Sequence, residues 1–334
     1  MLSVLRNKNI KIILNYFLGP IVFIILAYSI YRQVQRQPDW EVSLAQLKHT
    51  FRGNRVWLIL PVLLLMLVNW GLEARKWQLA LHNLQHLGFL KAFKAIFTGS
   101  TMASFTPNRT GEYVGRILYV EEGKRLQAIS LTLICSMAQL QITLYAGLVG
   151  MWFFKRSFGT MVNDQEASVL WMNMLFYGVL AVAVLLTLFY FRLSWLIRLI
   201  HRWGIAPNFV RYITVLEECN ATVLLRILSL SGIRYLVFAL QYYLLFTVFG
   251  VEVTWWQTLQ SVSVLFLVLA ILPSFTFLTD LGIRWKAGIE IVQLYSTNTI
   301  GIFATAFTIW LVNLIIPALI GSLLILGIRI FRKE

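Results

Sequence analysis

The stretch FTPNRTGEYVGR, residues 105–116, interrupts a chain that is otherwise mostly apolar. A second stretch, LPSFTFLTDLGIR at residues 272–284, has the same plan. In each, a proline follows an apolar run, hydroxyl side chains come next, and an acid precedes an arginine by four residues. This spacing puts acid and arginine on one face of a helix, where they can pair. The pattern predicts two breaks between helical segments, at Pro107 and Pro273, with an ion pair after each break.

The composition of the chain is typical of a membrane protein. Of its 334 residues, 59% are hydrophobic and 13% are charged, and the mean hydropathy is +0.73. Soluble domains carry about 25% charged residues. Segments that cross a bilayer need roughly 20 apolar residues, and a helix satisfies its own backbone polar groups there. The chain lacks the short alternating segments of a membrane barrel. We therefore expect an all-α integral membrane protein.

The apolar runs predict about six full transmembrane helices. Each predicted break lies between two runs that are too short to cross alone, which predicts two broken or re-entrant helix hairpins. Amphipathic interfacial helices are expected at Trp40–Phe51 and after Pro207, where the apolar residues of the stretch include Val223 and Leu224. The six predicted spans are Ile12–Tyr31, a run that starts near Val56, Leu126–Phe154, Val169–Phe191, Gly232–Val251 and Ile300–Ile328.

The order of these segments repeats along the chain. Each half contains a span, an interfacial helix, a span, a broken helix and a span. Because each half makes an odd number of crossings, the second half is expected to be inverted relative to the first. Paired broken helices in inverted repeats are typical of transporters. We predict one polytopic domain, residues 1–334, with repeats at 1–160 and 161–334.

The net charge of +15 comes mainly from basic residues that flank apolar runs. This placement indicates membrane topology and contact with anionic headgroups, and the chain has no motif of a nucleic-acid-binding module. Four basic regions would lie inside if both termini are cytoplasmic, whereas Arg32–Arg55 would lie outside. The four regions are the N-terminus, Arg75–Lys94, Arg192–Arg211 and the C-terminus. We expect an inner-membrane protein with both termini in the cytoplasm.

Charged residues between membrane segments are the main candidates for a functional site, because an acid or base at mid-membrane needs a partner or a polar cavity. One interpretation is that the two acid–arginine pairs only tie broken helices together. The other is that the arginines line a cavity and bind an anionic headgroup through bidentate hydrogen bonds. Free N–H groups of the half-helices, which would begin near Gly111 and Thr279, would assist. The predicted substrate-binding residues are Asn108, Arg109, Gly111, Glu112, Arg116, Asp280, Gly282 and Arg284.

Glu73 and Arg75 are secondary candidates for substrate binding. They are two residues apart and cannot share a helix face, so the favoured interpretation is that both side chains reach toward the membrane interface. His82 and His86 have the spacing of a zinc pair, but no acid is nearby and HEXXH is absent. We predict no metal and no cofactor. No G-x-S-x-G or P-loop motif occurs, so no catalytic residue is predicted.

Four segments carry a family resemblance: EARKWQLAL at residues 73–81, the half-length run Ala95–Phe105, PNRTGEYVGR at 107–116 and LPSFTFLTDLGIR at 272–284. They resemble the lysylphosphatidylglycerol synthase transmembrane region, also called the flippase-like domain family. In its bifunctional members, a soluble domain aminoacylates phosphatidylglycerol and the membrane region moves the product to the outer leaflet. Because the last predicted span ends close to Glu334, we expect the aminoacylating domain to be absent here.

The resemblance implies a lipid flippase that moves an anionic or modified phospholipid, or an isoprenoid-phosphate-linked lipid, between leaflets. No ATP-binding motif is present, so transport would be downhill or coupled to an ion gradient, with Glu112 or Asp280 as a proton carrier in the second case. Two alternatives remain open. The chain could be a non-catalytic scaffold or subunit for a membrane glycosyltransferase or lipid synthase, or it could be a membrane-embedded enzyme that modifies lipids.

Overall fold

The computed structural model describes residues 28, 57–162, 166–192, 215, 220–272 and 277–325. Within these ranges the secondary structure is helical, and none of the described residues forms a strand. The α-helices are α1 (Ile59–Ala80), α2 (Phe89–Ala103), α3 (Gly111–Ile117), α4 (Arg125–Val162), α5 (Glu166–Phe191), α6 (Ala221–Val248), α7 (Trp255–Ile271), α8 (Phe277–Val292), α9 (Thr299–Trp310) and α10 (Ile316–Ile325).

Four helical segments of the described chain are long and apolar enough to cross a membrane: Glu122–Arg156, Leu170–Phe191, Ala221–Val248 and Thr299–Ile325. They correspond to four of the six predicted spans. Helix α1 corresponds to the predicted second span, and it carries three charged side chains near its end. The predicted first span and the interfacial helix Trp40–Phe51 lie outside the described residues, except that Tyr28 is helical. The chain is an all-α, multi-pass membrane protein.

The helical break predicted at Pro107 is confirmed. Helix α2 ends at Ala103, a 3₁₀ turn covers Pro107–Arg109, and α3 begins at Gly111. Asn108 and Arg109 adopt left-handed backbone conformations, with φ of 50° and 59°. Two residues of this kind reverse the chain, so α3 packs back along α2 as a helical hairpin, named here hairpin 1.

Close packing in hairpin 1 depends on small residues. An added Cβ at Gly115 would meet the backbone of Gly99 and the carbonyl oxygen of Thr98. The connections at the two ends of the hairpin also meet, because the backbone N–H of Glu121 donates to Gln85 Oε1 over 3.1 Å. Hairpin 1 therefore enters and leaves the helical bundle on the same side.

The second predicted break lies between α7, which ends at Ile271, and α8, which begins at Phe277. Pro273 itself lies outside the described residues. Helices α7 and α8 pack against each other and form hairpin 2. Asn298 Nδ2, after α8, donates to the carbonyl oxygens of Phe249 and Gly250 before α7, over 3.1 and 3.0 Å. Hairpin 2 thus also enters and leaves on one side.

The start of α6 differs from its prediction. We expected Val223 and Leu224 to belong to the interfacial helix after Pro207 and the span to begin at Gly232, but both residues lie in the first turn of α6. The side chain of Asn220 accepts a hydrogen bond from the N–H of Val223 over 2.9 Å, an N-cap that starts the helix at Ala221. Between Pro207 and Asn220, only Val215 is among the described residues.

The last span contains one turn of π-helix, Leu311–Ile315, between α9 and α10. Beyond this turn, α10 packs closely on α2. Thr101 Oγ1 donates to the carbonyl oxygen of Ala318 over 2.6 Å, and an added Cβ at Gly321 would meet the backbone of Phe97. This contact holds the last span against hairpin 1 and brings the π-turn close to α1.

Candidate functional site

Glu73 on α1 is the centre of a buried ion cluster. Its Oε2 atom lies 2.7 Å from Lys76 Nζ and 2.6 Å from Arg234 Nη1, and its Oε1 atom lies 2.8 Å from Arg116 Nη2. Lys76 is one turn further along α1, whereas Arg116 is on α3 and Arg234 is on α6. One carboxylate therefore joins three helices that are far apart in sequence.

One face of α1 presents the polar members of this cluster. Asn69, Glu73 and Lys76 follow each other at spacings of four and three residues, so they share a helix face, and all three are buried. Our interpretation that Glu73 reaches toward the membrane interface was wrong, because three cations hold its carboxylate inside the bundle. Arg75, on another face, is exposed and donates to Gln78 Oε1.

Arg116 joins the ion pair of hairpin 1 to α1. Its Nη2 atom donates both to Glu112 Oε1 and to Glu73 Oε1, and the side chain is almost fully buried. Its Nε and Nη1 atoms have no hydrogen-bond partner among the described residues. The predicted Glu112–Arg116 pair is present, but it is part of a larger network in which one arginine serves two acids.

Arg234 connects the cluster to a polar path toward the π-turn. Its Nε atom donates to Asn69 Oδ1 over 2.6 Å, and Asn69 Nδ2 lies 3.4 Å from Asn313 Oδ1. The guanidinium also lies 5.4 Å from the ring centroid of Trp70 and 5.6 Å from that of Phe238. Cation–π contacts of this kind favour a charged arginine in a partly dry site. Since π-turns are frequent at functional sites, the position of Asn313 is consistent with a role in binding.

The second predicted ion pair is present on α8. Arg284 Nη2 lies 3.1 Å from Asp280 Oδ2, and Arg284 Nη1 donates to the hydroxyl group of Tyr242 on α6 over 3.0 Å. The Nε atom of Arg284 has no partner in the described part of the chain. The planar guanidinium is thus fixed by contacts with two different helices.

A cavity of about 350 Å³ lies between these groups, and side chains from α1, hairpin 1, α4, α6, hairpin 2 and the last span line it. Its wall includes four basic and two acidic side chains, so it carries two net positive charges. Polar, aromatic and aliphatic side chains complete the wall. The charged residues are Glu73, Lys76, Arg109, Glu112, Arg234 and Arg284; the polar residues are Ser136, Gln139, Thr143 and Asn313; the aromatic residues are Trp70, Phe238 and Phe266.

The predicted site residues therefore divide into two groups. Arg109, Glu112 and Arg284 line the cavity together with the secondary candidate Glu73. Arg116 and Asp280 lie behind the wall and pair with wall residues. The described residues that do not line the cavity also include Asn108, Gly111 and Gly282, of which Asn108 is exposed.

The expectation of a free N–H at Gly111 was wrong. The hydroxyl group of Thr106 accepts this N–H over 2.6 Å and so satisfies the first donor of α3. An added Cβ at Gly111 would meet the carbonyl group of Met102. Gly111 is thus required where α3 approaches α2, and its role is in packing.

Sequence reasoning missed two charged residues of the wall, Lys76 and Arg234. Lys76 was detectable, because it follows Glu73 by three residues and the two share a helix face. Arg234 was also detectable, since it lies inside the predicted span Gly232–Val251, where a charge is costly without a partner. Its partners on α1 lie more than 150 residues earlier, at Asn69 and Glu73, so no local spacing identifies them.

Comparison with known protein families identifies the family of this chain. The family model for the lysylphosphatidylglycerol synthase TM region matches residues 16–283, which is most of the chain and includes hairpin 1 and the first residues of α8. The chain therefore belongs to this family. No curated protein matches it.

Proposed function

We propose that this member of the lysylphosphatidylglycerol synthase transmembrane family is a lipid flippase whose cavity receives an anionic headgroup. The observation that carries the proposal is the net positive wall of the cavity, to which both hairpins contribute an arginine. Ionisable side chains within transmembrane segments are costly, and they mark substrate and ion pathways. The acyl chains would stay in the bilayer while the headgroup crosses between the hairpins.

The arrangement of the arginines supports binding of a phosphate group. Arg109, Arg234 and Arg284 approach the cavity from hairpin 1, α6 and α8. Salt bridges and hydrogen bonds fix the last two, so little side-chain freedom is lost when a ligand binds. Arg109 makes no salt bridge with any of the described residues. A headgroup phosphate would give this cation a partner.

A transport assay tests the proposal. The purified full-length protein would be reconstituted in liposomes that contain a fluorescent phosphatidylglycerol or phosphatidic acid, and loss of fluorescence after addition of an impermeant quencher would report movement between leaflets. We expect faster movement than in protein-free liposomes. The variant Arg75→Gln, which changes an exposed arginine on the same helix as Glu73, should match the wild type.

The same assay separates the alternatives. No movement of any anionic lipid, in liposomes where the protein is folded, would contradict the proposal and favour a scaffold that needs a partner such as a membrane glycosyltransferase. A changed lipid mass after incubation would indicate an enzyme. In the cell, the proposed location is the inner membrane, where the headgroups of anionic lipids are available in both leaflets.

A further inference from the structure

The cavity wall has a net charge whose amount, as well as its positive sign, indicates which ligand it binds. The two carboxylates of the wall are already in ion pairs: Glu73 with three cations, and Glu112 with Arg116 behind the wall. If Arg116 and Asp280, the two paired residues behind the wall, are included in the count, the net charge does not change, because one is basic and the other acidic. The described surroundings of the cavity therefore keep two positive charges without an acidic counterpart.

We propose, on the basis of the flippase function above, that the cavity selects a headgroup with two negative charges, namely a phosphate monoester or a diphosphate diester. Uncompensated charges among buried groups are costly, and a dianion neutralises the wall. A phosphodiester such as phosphatidylglycerol brings a single negative charge. The headgroup of lysylphosphatidylglycerol carries one phosphate and two ammonium groups, so its net charge has the same sign as the wall.

The geometry of the donors points to the same class of ligand. A terminal phosphate exposes three oxygens, each of which accepts hydrogen bonds, whereas a phosphodiester exposes two. Arg109, Arg234 and Arg284 approach from three different elements, an arrangement suited to a group that accepts in several directions. The carboxylates do not form a separate acidic pocket for an ammonium group, because both are already paired with cations.

Equilibrium binding to the purified full-length protein in detergent tests this inference. The probes are phosphatidic acid, phosphatidylglycerol and lysylphosphatidylglycerol with the same short acyl chains, together with inorganic phosphate and diphosphate. At a pH where the monoester is doubly ionised, we expect phosphatidic acid to bind about tenfold more tightly than phosphatidylglycerol. Lysylphosphatidylglycerol should be the weakest of the three lipids.

The variant Arg109→Gln removes one positive charge without breaking a salt bridge to a described residue. We expect it to reduce the preference for phosphatidic acid to about twofold or less, whereas Arg75→Gln should keep the wild-type preference. Equal or tighter binding of lysylphosphatidylglycerol to the wild type would overturn the inference, and so would an unchanged preference in a folded Arg109→Gln protein. If that variant fails to fold, the wild-type order of affinities decides.

Two further results separate this inference from the flippase proposal. Inorganic phosphate or diphosphate that binds as tightly as phosphatidic acid would show that the cavity recognises a free anion, which overturns the assignment of a lipid headgroup. The expected affinity order without movement of lipid in liposomes would contradict the flippase function and leave the charge selectivity in place. Lipid movement without a charge preference in binding would support the flippase function and overturn the inference of charge selectivity.

Discussion

At the scale of single residues, the three cations around Glu73 would lose their common partner if its charge were removed. In Glu73→Gln, Lys76, Arg116 and Arg234 would remain buried with one carboxylate fewer, and breaking a buried ion pair costs about 3–5 kcal/mol. We expect the variant to unfold at a clearly lower temperature than the wild type, measured as the unfolding midpoint of the purified protein in detergent.

Arg75→Gln is the matched control for this prediction. It removes a charge two residues away on the same helix, but the side chain is exposed, and exposed substitutions usually change stability by about 0.5 kcal/mol or less. Similar unfolding midpoints for Glu73→Gln and the wild type would contradict a structural role of the cluster.

Arg284 and its acid partner Asp280 are on the same helix, so both charges of this pair can be removed together. In Asp280→Asn/Arg284→Gln both charges disappear together, and a buried pair replaced as a unit is often tolerated. We expect a folded protein whose lipid transport is reduced about tenfold or more, since one wall arginine is lost. Arg284→Lys should also be impaired, because an ammonium group cannot reproduce the planar contacts with Asp280 and Tyr242. Wild-type transport rates in the folded double variant would make this pair purely structural.

Local spacing explains which site residues were predictable. The acid–arginine pairs on α3 and α8 follow from positions four residues apart, and both are present. The network that joins Arg116 and Arg234 to Glu73 could not be predicted, because it depends on how α1, α3 and α6 pack. The burial of Glu73 is part of the same packing.

At the scale of elements, the contact between α10 and α2 gives a prediction about glycine. Gly321→Ala would place a methyl group against the backbone of Phe97 and the hydroxyl group of Thr101, so α10 must move away from hairpin 1. Overpacking of this kind costs about 1–3 kcal/mol. We expect a lower unfolding midpoint and slower lipid movement, because Asn313 and the cavity wall shift with α10.

Gly178→Ala on α5 is the control, since a Cβ at Gly178 has no neighbour within 4 Å. In a helix, alanine is favoured over glycine by about 0.8–1.0 kcal/mol, so this variant should be as stable as the wild type or slightly more stable. A Gly321→Ala protein as stable as Gly178→Ala would show that the close contact does not hold the last span in place.

The elements differ in how far the sequence predicts them. The break after α2 is predictable, because proline, asparagine and glycine cluster between two short apolar runs. The left-handed conformations of Asn108 and Arg109 were not predicted, and arginine has no preference for that region. The π-turn at Leu311–Ile315 has no signal in an apolar run, and the start of α6 depends on the Asn220 cap, which the prediction overlooked.

At the scale of the whole molecule, the number of membrane crossings between the two hairpins decides whether their bases lie on the same face. We take α4, α5 and α6 to cross the membrane once each. Hairpin 1 has its base just before α4, and hairpin 2 has its base just after α6. Three crossings lie between them, so the two bases are expected on opposite faces. An inverted repeat requires the same arrangement, and the repeat of residues 1–160 in residues 161–334 stays a prediction.

The distribution of basic residues predicts which of the two membrane faces is cytoplasmic. The loop between α1 and α2 lies within the basic region Arg75–Lys94, and a cytoplasmic position for it also puts both termini inside.

In a background in which Cys135 and Cys219 are replaced by alanine, Asn83→Cys would mark the loop between α1 and α2, and Glu252→Cys would mark the connection between α6 and α7. Both positions are exposed. An impermeant maleimide should label Glu252→Cys in intact cells, and Asn83→Cys only after the membrane is permeabilised. Labelling of both positions from outside would contradict the opposite orientation of the hairpins, and the reverse pattern would place both termini outside.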